Sequence, residues 1–424
     1  MLINENSEIK FFVYHPINLG LVYFLTHNTK NRNVDLKNQI IKCEYKNFKL
    51  VFDFRKNFIN ELDAYHVIFR QDAVRKSFFL PQLAKFQEDN KFPDCLKYEY
   101  EYLVKKLDYR YSWIFFYNYG ENSFVHLTWQ DILKGDELKF LKKLSELGIF
   151  FTDNYIEEKN ALRLNNKNFH NCITNDLFMW NYLAKISWAK EFSNTYKYLS
   201  PPYKLSISFR SPKPHRIEIA QKISNLNNDE IFLSYSNSLF NKFAGTDIHS
   251  WEGTYDDFYS KLKSIDNLNI NVVDDESEND FSNLKIIGNT ADNDMELDYY
   301  FRILPKGQLQ LLDETHSYSE NKLTPMNLSE KTYILLLANI PFISTHHYPL
   351  DLIQKMIYNE PYPYYDEIYE CTNDVDKLIS FIDKLLKNWD EMYPKIKEWT
   401  FKVHQNLTDK INSENSFLEK IIND

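Results

Sequence analysis

Glycine is scarce in this chain. Only 8 of the 424 residues are glycine, whereas average usage of about 7% would give roughly 30. The sequence contains no GxGxxG stretch and no Walker A loop, the glycine-rich loops that hold phosphate in many nucleotide-binding proteins. These absences argue against kinases, P-loop NTPases and ordinary dinucleotide dehydrogenases. A phosphate ligand would have to be held by helix N-termini and cationic side chains instead.

Cysteine is also sparse. The four cysteines, Cys43, Cys95, Cys172 and Cys371, lie far apart and form no CxxC pair. This spacing indicates neither a zinc site nor a disulfide framework. A reducing compartment is the simplest environment for such a chain.

Signals for membranes and nucleic acids are weak. The first ten residues have neither a basic region nor an apolar region of the kind found in signal peptides. The longest apolar run, near Tyr333–Ile343, is too short to span a bilayer. The net charge of -10 argues against general nucleic-acid binding, which normally requires a basic face. We therefore expect a cytoplasmic protein (in the host cytoplasm if it is viral) without a transmembrane segment.

What the sequence does contain is enough apolar material for two domains. Hydrophobic residues make up 43% of the chain, including 30 Tyr and 32 Phe, which suits two ordinary cores. Strand-like and helix-like runs alternate on both sides of the break at Ser200-Pro201-Pro202, and such alternation is typical of parallel sheets covered by helices. We predict an α/β fold with domains at residues 1–200 and 201–390, and a C-terminal helix at 391–424 that could pack back on the first domain.

The predicted strands place polar residues at the edge where open α/β sheets bind ligands, outside the carboxyl ends of the strands. In the N-terminal half these residues are His15, Asp72, Asn118 and Asp153. Asp72 and Asp153 are candidate catalytic bases on this position alone, and the alternative is that they are ordinary loop residues. The predicted strands are Ile9–Tyr14, Phe48–Phe54, Ala64–Phe69, Trp113–Asn118, Ile149–Asp153, Leu205–Phe209, Ile231–Tyr235 and Leu309–Leu312.

The segment NLSEKTYILLLANIPF, residues 327–342, predicts a capped helix followed by a turn into a strand. Ser329 is a suitable N-cap, and Glu330 in the first turn complements the helix dipole. Lys331 does not, because a cation at a helix N-terminus is disfavoured by roughly 0.3–1 kcal/mol unless an anion lies beside it. The segment is either a phosphate-binding helix start or a core helix whose lysine reaches solvent.

A second cationic helix start is FRSPKPHR, which ends at Arg216. Arg210, Lys213, His215 and Arg216 cluster where a strand ends and a helix begins at Pro214, a residue suited to the first helical position. An anion between these cations would reconcile them with the helix dipole. The alternative is a solvated basic turn. Two such helix starts in one domain fit a pyrophosphate better than either does alone.

These segments together resemble the donor half of two-domain GT-B glycosyltransferases. The elements that carry the resemblance are PHRI after a strand, a downstream strand in LQLLDET that ends in Glu314 after Asp313, and SEKT followed by an apolar helix and PFI. A similar helix start and upstream arginine occur in the fucosyltransferase-like branch and in many phage and bacterial glycosyltransferase-like proteins. The resemblance covers roughly residues 203–399. It implies two Rossmann-like domains that face each other across a cleft.

The resemblance also implies roles for individual residues. Arg216 and Lys331 would contact the pyrophosphate of a nucleotide-diphosphate sugar, Ser329 and Glu330 would hold the nucleotide sugar, and Glu314 would lie near the sugar or ribose. Arg210 and Lys213 in the basic cluster are further donor-binding candidates. The sequence departs from the family where STHHY, residues 344–348, replaces a glycine-bearing loop, and where residues 361–365 are rich in aromatics and proline.

The implied activity is transfer of a sugar from a nucleotide-diphosphate sugar to a hydroxyl of a glycan, protein or small-molecule acceptor. We expect no tightly bound cofactor, because cationic side chains would neutralise the leaving diphosphate. A rival hypothesis is a metal held by the DxD triplet Asp292-Asn293-Asp294, in a stretch acidic enough for a chance match. The alternative to an enzyme is a structural or binding protein, of a virus for example, that keeps the fold.

Overall fold

The structure is a computed structural model. It describes residues 8–14, 19–35, 37–55, 59–70, 110–117, 148–152, 169–171, 179–180, 201, 203–209, 214–226, 229–236, 270–273, 307–313, 328–413 and 416–423. The chain divides into two compact units. Unit 1 comprises Met1–Ala184, Tyr318–Glu330 and Thr408–Asp424, and unit 2 comprises Lys185–Ser317 and Lys331–Leu407. The domain boundaries given by the sequence, near residues 200 and 390, stay predictions.

Unit 1 is built on an eight-stranded sheet with the order β2-β3-β4-β1-β5-β6-β7-β8. Six of these strands run parallel to one another, namely β4, β1, β5, β6, β7 and β8. Strand β3 pairs antiparallel with β4 on one side and with β2 on the other. The central strands are apolar on both faces, as parallel strands covered by helices require. The strands are β1 (Glu8–Val13), β2 (Lys30–Asp35), β3 (Ile40–Tyr45), β4 (Phe48–Phe54), β5 (Tyr65–Arg70), β6 (Ser112–Tyr117), β7 (Gly148–Thr152) and β8 (Phe169–Asn171).

Aromatic rings form much of the core of unit 1. Helix α1 (Leu19–Thr26) contributes Phe24, whose ring meets Phe116 of β6 at 5.1 Å between centroids. The last helix of the chain, Ser416–Asn423, inserts Phe417 between these rings, 5.9 Å from Phe24 and 5.3 Å from Phe116. Such aromatic pairs stabilise a core beyond their buried area alone. The end of the chain therefore packs on the sheet of unit 1.

Unit 2 is built on a five-stranded, wholly parallel sheet with the order β11-β10-β9-β12-β13. Parallel neighbours require crossover connections, and helix α2 (Pro214–Ser224) follows β9 in this manner. Helix α3 (Glu330–Leu337) precedes β13 and is buried along most of its length. The strands are β9 (Tyr203–Phe209), β10 (Ile231–Ser236), β11 (Ile270–Val273), β12 (Gly307–Leu312) and β13 (Phe342–Ser344).

The C-terminal helices complete unit 2. Trp399 packs its ring 5.0 Å from Tyr362, and its Nε1 donates to the carbonyl oxygen of Glu360 at 3.2 Å. Tyr362 donates in turn to the carbonyl oxygen of Phe342 at 3.0 Å. These contacts fix the aromatic, proline-rich stretch beneath β13. The helices of this unit are α4 (Tyr348–Met356), α5 (Tyr365–Cys371), α6 (Val375–Lys387) and α7 (Trp389–Asn412), the last of which belongs to unit 2 as far as Leu407. The helix of unit 1 described above, Ser416–Asn423, is α8.

The predicted fold class, α/β with two Rossmann-like domains, is confirmed by these two sheets, of which the first is mostly parallel and the second wholly parallel. All eight predicted strands are present with ends that shift by no more than two residues, and the predicted helix 214–225 is α2. The antiparallel pair β2 and β3 was not predicted. Strand β2 is exposed along most of its length and offers no apolar periodicity, whereas β3 does alternate and was missed. Within the described residues, no helix is long and apolar enough to cross a membrane.

Candidate functional site

Three neighbouring parallel strands of unit 2, β9, β12 and β13, end at the same edge of the sheet. Open α/β sheets bind ligands at this edge. Helix α2 begins beyond β9, Asp313 directly follows β12, and Thr345 directly follows β13. The polar side chains of these three connections therefore come together although they are far apart in the sequence.

Asp313 is the centre of this cluster. Its carboxylate forms a buried ion pair with Arg216 of α2, and each of these side chains is only 2% exposed. Thr345 donates its hydroxyl to Oδ1 of Asp313 at 3.0 Å. His215 places Nε2 at 3.2 Å from both carboxylate oxygens. A buried carboxylate is tolerated only when it is paired and hydrogen-bonded in this way.

These partners determine the protonation of Asp313. Burial by itself would raise the pKa of this carboxyl, but Arg216, His215 and Lys331 outweigh burial and hold the pKa well below its ordinary value of 3.8. Opposite charges and hydrogen bonds to the ionised form both act in this direction. Asp313 is therefore ionised throughout the physiological range.

Lys331 reaches the same cluster from α3. Its Nζ donates to the backbone carbonyl oxygen of Asp313 at 3.0 Å. Arg216 directs a second nitrogen toward the same carbonyl oxygen, at 3.4 Å. The two cationic helix starts that the sequence singled out therefore converge on one residue. The anion that meets Arg216 is a carboxylate of the chain itself.

The groups around Asp313 differ in their contacts and in their accessibility. Arg216 pairs with the carboxylate of Asp313, whereas Lys331 donates to the backbone carbonyl oxygen of the same residue. Arg216 is buried, whereas the His215 side chain is 34% exposed and Lys331 is half-buried. An anion that approached the edge would meet His215 and Lys331 first.

Several predicted site residues lie outside what the structure describes. Ser329 is half-buried and directly precedes α3, and Glu330 is the first residue of that helix. The side chain of Glu330 is not among the described ones. The predicted residues outside the described ranges are Asp72, Asp153, Arg210, Lys213 and Glu314, together with the rival metal ligands Asp292 and Asp294. Their roles stay predictions.

The sequence did not indicate that Asp313 would be the centre of the site. It placed Asp313 and Glu314 together at the end of a strand, and the resemblance selected Glu314. Thr345 was not predicted at all. Its backbone N–H donates to the carbonyl oxygen of Leu312 at 3.0 Å, which continues the pairing of β12 and β13 and brings its hydroxyl to Asp313. The one available signal was a carboxylate at the end of an apolar strand.

The adjacent histidines that follow β13 do not form a metal site in the described residues. His347 is the N-cap of α4, and its Nδ1 lies 3.0 Å from the hydroxyl oxygen of Thr372. Within the ranges given above, no group of three or more His, Cys, Asp or Glu side chains is arranged to hold a metal ion.

Comparisons with known proteins give fold-level likeness only. No family model matches the chain, and no curated protein matches it. One similar solved structure is UDP-GlcNAc 2-epimerase from Neisseria meningitidis bound to UDP-GlcNAc, with 9% identity, coverage of 99% of this chain and 100% of that one, and a TM-score of 0.44. Another is α,α-trehalose 6-phosphate synthase from Burkholderia multivorans, with 8% identity, coverage of 96% and 98%, and a TM-score of 0.35.

Proposed function

We propose that this protein is a glycosyltransferase that moves a sugar from a nucleotide-diphosphate sugar to a hydroxyl acceptor, with the diphosphate held by unit 2. The observation that carries the proposal is the cluster of Arg216, Lys331 and His215 around Asp313 at the ligand-binding edge of a parallel sheet. Both cations come from the first turn of a helix, where free backbone N–H groups also favour an anion.

The buried and the half-exposed cations have different roles in this proposal. Arg216 fixes Asp313, and Asp313 fixes His215 and Thr345, so the buried pair positions the edge. Lys331 and His215 contact the diphosphate, since their side chains are accessible. Positive charge placed before the reaction begins stabilises negative charge that develops on a leaving group. This revises the predicted role of Arg216 from direct contact to support, because its guanidinium is engaged by Asp313.

In the proposed reaction the bond between the anomeric carbon and the diphosphate oxygen breaks, and the electron pair stays on the diphosphate. A new bond forms between the anomeric carbon and the acceptor oxygen. The acceptor loses its proton to a base, for which Asp72 and Asp153 remain the candidates from the sequence. Glu314, Ser329 and Glu330 remain candidates for binding the donor, with Arg210 and Lys213 as further cations. No tightly bound metal or cofactor is part of this proposal.

One observation favours a second candidate function, a structural or binding protein without turnover. Arg216 and Lys331 both contact Asp313, so the protein's own carboxylate accounts for part of the charge that the sequence left unexplained. A cluster of this kind can stabilise a fold without any ligand. Measured ligand binding separates the two functions.

The test is thermal unfolding in the presence of nucleoside diphosphates and their sugars. A ligand that binds only the folded state at 100 times its Kd adds about 2.7 kcal/mol of stability. We expect at least one nucleoside diphosphate to raise the Tm of the wild type, and Lys331→Ala and His215→Ala each to remove most of that increase. A matched control is Lys387→Ala, which removes a cation that is 71% exposed on α6 and should leave the increase intact.

Release of nucleoside diphosphate from the stabilising sugar nucleotide, measured with and without candidate acceptors, then separates an enzyme from a binding protein. An equal Tm increase in the wild type, Lys331→Ala and His215→Ala would contradict the assignment of the diphosphate site.

A further inference from the structure

The edge that holds Asp313 continues into a cluster of aromatic side chains in unit 2. Two residues after Thr345, His347 is the N-cap of α4, and its ring lies 4.7 Å from the ring of Tyr369 on α5. Tyr365, one turn earlier on α5, stacks on Tyr369 with ring centroids 6.3 Å apart. His347 and Tyr365 lie in the two stretches, 344–348 and 361–365, in which the sequence departs from the glycosyltransferases that it resembles.

Tyr369 is the exposed tyrosine of this cluster. Its exposed fraction is 54%, whereas Tyr362 and Tyr364 on the same stretch are buried at 3% and 9%. The buried pair accounts for the packing of this segment against the core. Tyr369 therefore offers a partly accessible aromatic ring near the connection that follows β13.

The rings that contact Tyr369 are themselves hydrogen-bonded. Thr372 donates its hydroxyl proton to the carbonyl oxygen of Ile368 at 3.2 Å, so its oxygen accepts from Nδ1 of His347 at 3.0 Å. Tyr365 donates its hydroxyl to Oδ1 of Asp351 at 2.5 Å. Both rings that contact Tyr369 are thus held by hydrogen bonds. An aromatic surface that is ordered before binding loses little conformational freedom when a ligand stacks on it.

We propose that the ring of Tyr369, supported by His347 and Tyr365, stacks on the nucleobase of the nucleotide whose diphosphate lies at the Asp313 cluster. This rests on the proposed function and adds to it a position for the base. A nucleobase presents a planar π-face that stacks on aromatic side chains, and every base offers such a face.

The chemistry of the ring favours the base over the transferred sugar. Thr345 and His347 are two residues apart in the chain, and the ring of His347 lies 4.7 Å from that of Tyr369, so Tyr369 belongs to the connection that follows β13. The base of the nucleotide has a planar π-face that can stack on this ring, whereas the transferred sugar has none.

The test compares nucleoside diphosphates with inorganic pyrophosphate by isothermal titration calorimetry on the full chain. We expect the best of ADP, CDP, GDP and UDP to bind the wild type more tightly than pyrophosphate does. Tyr369→Ala should weaken that nucleotide roughly 5- to 150-fold and leave pyrophosphate binding unchanged, and Tyr369→Phe should restore the affinity. The matched control is Phe401→Ala, which removes a ring that is 46% exposed on α7 of the same unit and should change neither affinity.

Comparison of the nucleoside diphosphate with pyrophosphate tests the stacking inference separately from the proposed diphosphate site. Lys331→Ala should weaken both ligands, because both carry the diphosphate charge. If Tyr369→Ala binds the nucleotide as tightly as the wild type does, the stacking inference is overturned and the diphosphate site stands. If the wild type binds neither ligand, the diphosphate site and the stacking inference both fail.

Discussion

Arg216 and Asp313 lie 97 positions apart in the chain and form a buried ion pair in which each side chain is 2% exposed. Because a buried charge without a partner is costly, each of these residues requires the other. The pair also determines where His215 and Thr345 lie, since both contact the same carboxylate. Stability and the proposed ligand binding are therefore linked at this edge of unit 2.

Removal of Arg216 should destabilise the protein strongly. Arg216→Met leaves Asp313 buried without its ionic partner, and breaking a buried pair in this way costs about 3–5 kcal/mol of unfolding free energy. The double variant Arg216→Met with Asp313→Leu should recover much of the loss, because no unpaired charge remains. Urea denaturation of the wild type, both single variants and the double variant measures the coupling. Additive losses would show that the two side chains do not depend on each other.

Low pH should reduce the free energy of unfolding, because it favours protonation of Asp313. The pKa of this carboxyl is lower in the folded state than its ordinary value of 3.8, so the unfolded chain binds the proton more readily. The stabilising contribution is therefore complete above about pH 5 and is lost as the pH falls below about 4. The unfolding free energy of the wild type minus that of Asp313→Asn, measured between pH 6 and pH 3, should shrink toward the acid end. A difference independent of pH would mean that the carboxyl has the same pKa in both states.

Substitution of Glu330 distinguishes two hypotheses for the start of α3, a helix start that binds the donor and one that does not. As a first-turn carboxylate it stabilises α3 by roughly 0.3–1 kcal/mol, and Glu330→Gln should cost no more than that. If Glu330 binds the donor, Glu330→Gln leaves hydroxyl groups of the donor unpaired. This costs about 1–3 kcal/mol and lowers kcat/KM roughly tenfold to hundredfold. We expect the larger loss. Turnover per folded molecule, with stability determined on the same preparation, decides between them.

Activity should not depend on a divalent metal. Cationic side chains take the place of a metal in the proposal, so transfer or donor hydrolysis should persist after chelation. The double variant Asp292→Ala with Asp294→Ala should have nearly unchanged activity. An absolute requirement for manganese that these substitutions abolish would favour the DxD hypothesis.

Much of the fold could be predicted from the sequence because it depends on local patterns. Apolar runs of strand length located eight strands, and Pro214 and the SEKT segment located the starts of α2 and α3. The same patterns failed for β2, whose exposed side chains show no apolar alternation. They could not give the strand order, in which β12 lies beside β9 although about a hundred residues separate them.

The candidate site was predictable in part. The sequence determined by itself that two helix starts carry cations, because the local pattern of proline, lysine and arginine can be recognised without knowledge of the tertiary structure. Only the tertiary structure decided that Arg216 and Lys331 converge on Asp313, since that depends on which strands are neighbours. It also decided that Arg216 is buried rather than open to a ligand. A charge at a helix terminus has the same sequence signature in both cases, and the carboxylate that pairs with it comes from another strand.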